Sequence, residues 1–322
     1  MKILVPSTVH DEIRVPPGVT VARYDPRVEV PAEHHDTQVL VAWGNSRKNL
    51  AGCARDLANL RWVAALSAGV DGVIHAGFAP HVMITSGRGL HDRPVAEHTL
   101  MMILAAVRRF DLMHEARCDH RWDLSLGGVQ HPGLLTDRTP GDGGLPGLGT
   151  IDGANIMIWG FGSIGQTLAS YVTMLGARVL PVARSEGDRA GFHTMTPDHM
   201  GEVLPVTDIL VSVLPATADT LGVANRQIFD ALPTHAWFVN VGRGSVVNED
   251  DLVAALHSGS LGGAALDVTD REPLPDSSPL WDAPNLILTP HAAGGRPEGA
   301  GEFLSTNIEV FHAGGTPANL VT

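Results

Sequence analysis

The sequence predicts an α/β protein with a doubly wound, parallel-sheet domain, and two observations support that prediction. Short apolar runs alternate with amphipathic stretches over much of the 322 residues, which is the pattern of parallel strands joined by crossover helices. A glycine-rich turn, Gly160-Phe161-Gly162-Ser163-Ile164-Gly165, separates one such run from one such stretch. Because a chain of this length exceeds the usual size of one core, we expect two domains.

Composition and charge exclude several classes of protein. The sequence is 44% hydrophobic and 18% charged, which is typical of a globular chain. Its formal net charge of −13 argues against a nucleic-acid or membrane-surface partner, since such binding needs clustered cations. No apolar run is long enough to span a bilayer. The two cysteines, Cys53 and Cys118, are too few for a disulfide scaffold, so we expect a cytoplasmic protein.

The opening part of the sequence predicts a smaller α/β domain. Apolar runs predict strands at 3–5, 39–43 and 62–66, and a helix is expected over 50–58. An almost continuously apolar stretch from Pro94 to Phe110 predicts one long buried helix. The charges of Arg108 and Arg109 suit the dipole at its carboxyl end.

The second part predicts the doubly wound domain. From Cys118 to Thr150 periodicity gives way to Gly and Pro, so we expect a long irregular arm. After the arm, helices are expected at 164–175 and 249–257. Six apolar runs predict strands at 154–159, 178–182, 209–213, 237–240, 263–266 and 286–288.

The glycine-rich turn predicts a dinucleotide site. Gly160 would permit a tight turn, Gly162 would leave room for a pyrophosphate, and Gly165 would let the helix pack on the strand. Backbone N–H groups near Ser163 and Ile164 would bind the phosphates at the helix N-terminus. A turn of this composition can also be purely structural, but its place between strand and helix favours the cofactor.

The end of the next strand favours NADP(H) over NAD(H). The segment Pro181-Val182-Ala183-Arg184-Ser185 lacks the acidic residue that would bind both ribose hydroxyls of NAD. Arg184 and Ser185 occupy that position, and a guanidinium there could pair with a 2′-phosphate. The alternative is a solvated surface arginine.

Three residues predict the reduction of an oxo acid by a nicotinamide. Arg243 and His291 each follow a predicted strand, where an open α/β sheet binds its ligand. Such a reaction needs a cation for the carboxylate and carbonyl, and a proton donor for the new hydroxyl. Glu272 could accept a hydrogen bond from the imidazole and favour its protonated form. Singly, the three could be a surface ion-pair residue, a turn residue and a buried polar residue.

Together these residues resemble the D-2-hydroxyacid dehydrogenase family, from about Leu66 to Ala293. The resemblance rests on five motifs: Val241-Gly242-Arg243-Gly244, Arg271-Glu272-Pro273, Pro290-His291, Val95-Ala96-Glu97-His98 and Leu214-Pro215-Ala216-Thr217. By this resemblance Arg243 would bind the substrate, Glu272 would support the imidazole, and His291 would be the acid/base. The cofactor would also contact Leu214, Pro215, Val241, Gly242 and Asp267, the last beside the nicotinamide carboxamide.

The resemblance also implies the domain organisation. Residues 96–293 would form the Rossmann dinucleotide-binding domain, and residues 1–95 with 294–322 a flavodoxin-like substrate domain, with the substrate in the cleft and the crossings as hinges. In the loop Ser67 to Asp71, amides of Ala68, Gly69 and Val70 would grip the substrate carboxylate, although a simple strand-to-helix turn is equally consistent. A homodimer is also implied. Arg184-Ser185 and the segment around Trp281 favour the glyoxylate/hydroxypyruvate reductase type.

Other functions remain open at this stage. A dinucleotide-sensing binding or scaffold protein could keep this fold without turnover. Oxidation of formate or phosphite is less favoured, because a formate enzyme would pair its histidine with Gln instead of Glu272. His114, Cys118 and His120 lie close in sequence but lack a fourth ligand, so we predict no metal site.

Overall fold

The computed structural model describes residues 1–126 and 149–322. The chain divides into a smaller unit, residues 1–91 with 295–322, and a larger unit, residues 92–294. The domain divisions expected from the sequence lie after residue 95 and before residue 294. Residues 127–148 of the predicted arm lie outside the described residues.

The smaller unit is built on a sheet of five parallel strands. The strands are β1 (Lys2–Pro6), β2 (Thr20–Tyr24), β3 (Val39–Ala42), β4 (Trp62–Ala65) and β5 (Met83–Thr85). Their order is β2-β1-β3-β4-β5, with parallel pairing throughout. This is the flavodoxin-like order that the sequence led us to expect.

Helices cover both faces of this sheet. On one face lie α1 (Arg47–Asp56), which begins where Ser46 Oγ accepts a hydrogen bond from Asn49 N, and the short α2 (Asp71–Ile74). The other face is covered by α9 (Ala300–His312), near the end of the chain. Leu304, Ile308 and Phe311 recur at helical spacing on α9 and are all buried. Burying each contributes about 1.5–3 kcal/mol, so α9 is an integral part of this unit.

The larger unit is built on six parallel strands, which confirms the predicted doubly wound fold. The strands are β6 (Asn155–Trp159), β7 (Arg178–Val182), β10 (Ile209–Ser212), β11 (Trp237–Asn240), β12 (Gly263–Leu266) and β13 (Leu286–Leu288). Their order is β7-β6-β10-β11-β12-β13. The order reverses between β6 and β10, so the carboxyl ends of these strands flank the place where such sheets bind ligands.

Helices pack on both faces of this sheet as well. One face is covered by α3 (Asp92–Val107) and α5 (Ser163–Met174), and the other by α6 (Met200–Val203), α7 (Arg226–Ala231) and α8 (Glu249–Ser258). A further helix, α4 (Phe110–Cys118), follows α3. A two-stranded antiparallel hairpin, β8 (Gly187–Arg189) with β9 (Phe192–Thr194), lies beyond the edge strand β7.

The long helix predicted from Pro94 to Phe110 is wrong at both ends. It starts at Asp92 and stops at Val107, because Arg109 adopts a left-handed conformation with φ of 48°. Arg109 also does not lie in solvent at the carboxyl end of the helix, as its expected interaction with the helix dipole implied, because it is 2% exposed. Its guanidinium binds Asp111 and Asn285, each at 2.9 Å, and lies over the Trp237 ring. These contacts compensate the buried positive charge of Arg109. They also hold the turn at which the chain passes from α3 to α4.

Candidate active site

The glycine-rich turn joins β6 to α5 at the carboxyl edge of the larger unit's sheet. Gly160 has a φ of 105°, and a Cβ there would lie 2.7 Å from the carbonyl oxygen of Val213, just beyond β10. Neither the conformation nor the space admits another residue. Gly160 therefore makes the tight turn and lets the ends of β6 and β10 approach each other.

The start of α5 leaves backbone groups facing open space. A Cβ on Gly162 would meet nothing within 4 Å, whereas one on Gly165 would lie 2.8 Å from the carbonyl oxygen of Gly160. Gly162 is the N-cap and offers no side chain to the first amides of the helix, near Ser163 and Ile164. Ser163 Oγ donates instead to Asp92 at 2.9 Å. The open cradle and the uncapped amides fit the pyrophosphate of a dinucleotide.

The loop after β11 presents Arg243 on a fixed backbone. The buried side chain of Asn240 holds this loop, because its Oδ1 accepts from Gly242 N at 3.1 Å and its Nδ2 donates to Arg243 O at 2.9 Å. A Cβ on Gly242 would lie 2.4 Å from the carbonyl oxygen of Leu214. Val241 and Gly242 therefore lie beside the Leu214-Pro215 segment, as expected if both border one cofactor.

A second close approach fixes the other side of Arg243. A Cβ on Gly244 would lie 1.8 Å from the carbonyl carbon of Thr269, in the segment after β12. Arg243 thus stands between two glycines, each pressed against a neighbouring backbone. The guanidinium is half-buried and its Nη1 donates to Gly242 O at 2.8 Å. The guanidinium of Arg243 is therefore held near the carboxyl ends of the strands.

His291 and Glu272 form a hydrogen-bonded pair. His291 Nδ1 lies 2.8 Å from Glu272 Oε2, and Glu272 Oε1 accepts from Thr269 N at 3.2 Å. The side chains are 50% and 39% exposed, so solvent and small molecules reach them. A carboxylate at Nδ1 favours the tautomer with its proton there and leaves Nε2 available for a ligand. Within residues 1–126 and 149–322, Nε2 has no hydrogen-bond partner.

The backbone of His291 is held in an unusual conformation. Its φ is 52°, in the left-handed region, which costs a residue with a side chain about 1–2 kcal/mol. The conformation is stabilised by a hydrogen bond of 2.7 Å from His291 N to the carbonyl oxygen of Asp267. The imidazole therefore leaves the loop in a direction set by its neighbours.

The three predicted catalytic residues follow three adjacent strands. Arg243 comes after β11, Glu272 after β12 and His291 after β13. In the sheet, Asn240 pairs with Leu266, and Leu266 with Leu288. Since parallel strands end at one edge, all three side chains arise on the same edge as the glycine-rich turn. Their roles in a reaction are taken up below as proposals.

The end of β7 carries two arginines beside a serine. Arg184 and Ser185 are exposed, and the hairpin β8–β9 brings back Arg189, whose Nη2 donates to Ser185 Oγ at 2.6 Å. Two acidic residues of this loop, Glu186 and Asp188, bind His193 at 3.2 and 2.9 Å. Asp188, and then Glu186, raise the pKa of His193 through these hydrogen bonds. The protonated imidazole of His193 therefore offsets the negative charge of Glu186 and Asp188 near the two arginines.

The predicted substrate loop of the smaller unit lies between β4 and α2. Ala68 is exposed, Gly69 is half-buried and Val70 is buried as the residue before α2. Gly87 N donates to Ser67 O at 2.8 Å, which fixes the start of this loop. The loop thus leaves the carboxyl end of a parallel strand.

Sequence reasoning missed three residues that shape the site. Asn240 was treated as the end of a strand, although an amide before a Gly-x-Gly segment is a signal for a side chain that holds a loop. Arg189 was overlooked because its hairpin is polar and glycine-rich. His98 was noted only within a motif. It contacts Asp267, and that contact joins residues far apart in sequence.

The described residues show neither a metal cluster nor a membrane-spanning helix. Among residues 1–126 and 149–322, no group of three or more His, Cys, Asp or Glu side chains is arranged to hold a metal ion. Over the same residues, none of the helices combines the length and apolar character needed to cross a membrane.

Comparisons with known proteins agree with this geometry. Residues 100–293 match the family model described as D-isomer specific 2-hydroxyacid dehydrogenase, NAD binding domain. The glyoxylate/hydroxypyruvate reductase A of Citrobacter koseri is 30% identical over 310 residues, covering 92% of this chain and 88% of that protein.

Solved structures also resemble the whole chain. A D-isomer specific 2-hydroxyacid dehydrogenase family protein from Aeromonas salmonicida is 27% identical with a TM-score of 0.81, covering 100% of this chain and 98% of that one. The NADPH-dependent glyoxylate/hydroxypyruvate reductase of Sinorhizobium meliloti, solved with NADP and sulfate, is 26% identical with a TM-score of 0.77, covering 99% and 98%. The predicted family is confirmed: the chain belongs to the D-isomer specific 2-hydroxyacid dehydrogenases and is a nicotinamide-dependent oxidoreductase.

Proposed function

We propose that this chain reduces a small 2-oxo acid to the D-2-hydroxy acid, with Arg243, Glu272 and His291 as its catalytic set. The observation that carries the proposal is the 2.8 Å contact between His291 Nδ1 and Glu272 Oε2, beside the strand that presents Arg243. A carboxylate-supported imidazole supplies a proton, and a guanidinium supplies a fixed positive charge. The reduction of a carbonyl beside a carboxylate needs both.

Each residue has a distinct part in this scheme. Arg243 binds the substrate carboxylate and stabilises the negative charge that develops on the carbonyl oxygen. His291 donates a proton from Nε2 to that oxygen, and Glu272 stabilises the imidazolium before the transfer. A reduced nicotinamide, when bound at the glycine-rich turn, supplies the hydride for the carbonyl carbon. One hydride and one proton together convert the carbonyl group to the hydroxyl group.

The proposed substrates are glyoxylate and hydroxypyruvate, which the names of the relatives above support. The test is to follow the absorbance of the reduced nicotinamide while the purified protein is offered glyoxylate, hydroxypyruvate, pyruvate and larger 2-oxo acids. Turnover highest with the first two supports the assignment. Tight cofactor binding with no turnover on any acid would favour the sensing or scaffold protein, which the named relatives do not favour.

We also propose that backbone amides of Ala68, Gly69 and Val70 bind the substrate carboxylate. Their place after β4 supports this, since a carboxylate needs donors and these residues leave a strand end. Substituting Gly69 by Pro removes one amide, so an unchanged KM for the oxo acid in that variant would refute the assignment.

NADP(H) is the cofactor that we propose this chain prefers. The Arg189 guanidinium donates to the Ser185 hydroxyl, and the exposed Arg184 directly precedes that serine in the chain. Two arginines and a hydroxyl at this strand end suit the charge and acceptors of a 2′-phosphate. His193 supports the site indirectly, because it offsets the Glu186 and Asp188 carboxylates that would repel a phosphate. The solved Sinorhizobium meliloti relative holds NADP.

Arg184→Asp is expected to move the ratio of kcat/KM for NADPH over NADH toward NADH by at least about tenfold, since a charge-assisted hydrogen bond is lost and a repulsive charge gained. Steady-state kinetics with both cofactors measure the ratio. Arg178→Asp, at the opposite end of β7, is the matched control and should leave it unchanged. An unaltered ratio in Arg184→Asp would show that this residue does not contact the phosphate.

A homodimer is proposed, with the larger unit supplying the interface. Exposed apolar side chains on its consecutive elements support this: Met101 on α3, Phe110 on α4 and Trp122 beyond α4, the last 91% exposed. Such side chains are costly to leave in water. Light scattering on the purified protein should give twice the mass of one chain, and a monomer mass at micromolar concentration would contradict the proposal.

The proposed location is the cytoplasm. Cys53 and Cys118 are both free thiols, one buried and one exposed, as expected in a reducing compartment. Fractionation of cells that produce the protein tests this, and recovery outside the cytoplasm would overturn it.

A further inference from the structure

The carboxylate of Asp267 accepts hydrogen bonds from the segment that carries His291. Asp267 directly follows β12, and its Oδ1 lies 2.6 Å from Thr289 Oγ1 and 2.8 Å from Ala292 N. Its Oδ2 lies 3.0 Å from Ala293 N. The bonds grip the segment on both sides of His291, so one side chain determines the path of the loop that presents the imidazole.

The main chain of Asp267 adds a further bond. Its carbonyl oxygen accepts from His291 N at 2.7 Å. Residue 291 is held in the left-handed region, and such a conformation persists only where the surroundings determine it. Asp267 contributes to that determination through its carbonyl and through both carboxylate oxygens, and the carbonyl oxygen of Thr289 also accepts from His291 N, at 3.0 Å.

His98 ties this arrangement to α3. Its Nε2 lies 3.0 Å from Thr289 Oγ1 and 3.3 Å from Asp267 Oδ1. The Asp267 side chain is 1% exposed and that of His98 is 16% exposed, so water hardly competes for these bonds. The Thr289 hydroxyl donates to Asp267 and can accept from His98. Thr289 is therefore the link between the helix and the loop.

We propose that His98 and Asp267 are positioning residues, which hold His291 in the orientation required for proton donation. His98 acts through Thr289, and Asp267 acts through Thr289 and through its own bonds to residues 291–293. The inference rests on the proposed role of His291 and extends it to residues that touch neither substrate nor the reacting atoms. It also gives Asp267 a positioning role beside the contact with the nicotinamide carboxamide that the family resemblance implies, because its carboxylate accepts hydrogen bonds from the segment that carries His291.

Thr289→Val removes the linking hydroxyl and keeps the shape of the side chain. We expect kcat for oxo-acid reduction to fall about tenfold, since small misplacements of a catalytic group cost rate steeply. The dissociation constant for NADPH should stay within about twofold, because the proposal places no cofactor contact here. Thr289→Ser, which keeps the hydroxyl, should restore kcat.

A deuterium isotope effect separates positioning from general loss of structure. With NADPH deuterated at the transferred position, Thr289→Val should show a larger effect on kcat than the parent, because chemistry becomes slower relative to product release. A variant that is only partly folded would lose kcat with an unchanged isotope effect. Thr99→Val is the matched control. Among the described residues, the side chain of this buried threonine of α3 bonds to Val95 O alone, so its replacement should leave both quantities unchanged.

His98 provides an independent pair of variants. His98→Gln keeps a donor near the Nε2 position and should retain most of kcat, whereas His98→Leu should behave like Thr289→Val. If kcat is unchanged in both Thr289→Val and His98→Leu while the parent is active, the positioning proposal is overturned and the proposed function stands. A raised dissociation constant for NADPH with unchanged kcat would also overturn it, because these residues would then act on cofactor binding alone. A parent without turnover on any oxo acid would overturn the proposed function and this inference with it.

Discussion

His291→Ala is expected to lower kcat for reduction of the preferred 2-oxo acid by about 10²-fold or more. The substitution removes the proton donor while leaving the glycine-rich turn and the arginines beside Ser185 untouched. Cofactor affinity should therefore persist. Stopped-flow and steady-state assays of NADPH oxidation measure the first quantity, and quenching of protein fluorescence by NADPH measures the second.

The matched control for this variant is His312→Ala, at the exposed end of α9. It should keep parental kcat. A kcat for His291→Ala within a few-fold of the parent would exclude His291 as the acid.

Arg243→Lys is expected to lower kcat/KM for the oxo acid by about 10²-fold, although the charge is retained. A guanidinium can contact a carboxylate and a carbonyl at once, whereas an ammonium is a point charge on a flexible stem. Gly242 and Gly244 fix the backbone on either side of residue 243. The loop therefore cannot shift to bring the lysine ammonium into contact with both groups of the substrate. Kinetics over a range of oxo-acid concentrations give the value.

Arg226→Lys is the matched control for the arginine substitution. Arg226 is 64% exposed and pairs with Asp251, so its replacement should leave catalysis unchanged. Near-parental kcat/KM for Arg243→Lys would show that bidentate contact is not required. A loss confined to KM, with unchanged kcat, would instead limit Arg243 to binding the ground state.

The strands at the centre of the larger unit could be predicted closely from sequence. The bounds of the central strands β11 and β12 agree with the predicted ranges, because central parallel strands are buried on both faces and form continuous apolar runs. The bounds of the edge strands β7 and β13 also agree with the predicted ranges. The edge strand β2 was missed, since it is largely exposed and includes Arg23. The β8–β9 hairpin was missed for the same reason.

The candidate site was predictable where its residues lie in short motifs. Arg243, Glu272 and His291 could be located because each follows a strand, and the bond between Glu272 and His291 is present. The hold of Asn240 on its loop and the link from His98 to Asp267 could not be derived, because both depend on distances between side chains after folding. Sequence spacing reports which strand end a residue occupies, and not which neighbour its side chain meets.

The discontinuity of the smaller unit has a consequence for synthesis on the ribosome. The larger unit is one uninterrupted stretch, so all of its sheet has been translated before α9 emerges. Until then, one side of the smaller sheet, with Ile3, Val39 and Trp62, lacks the helix that covers it. During this interval the larger unit has been fully translated, while the strands of the smaller unit, which were made first, still expose apolar surface. Chaperone binding or aggregation is favoured during such an interval.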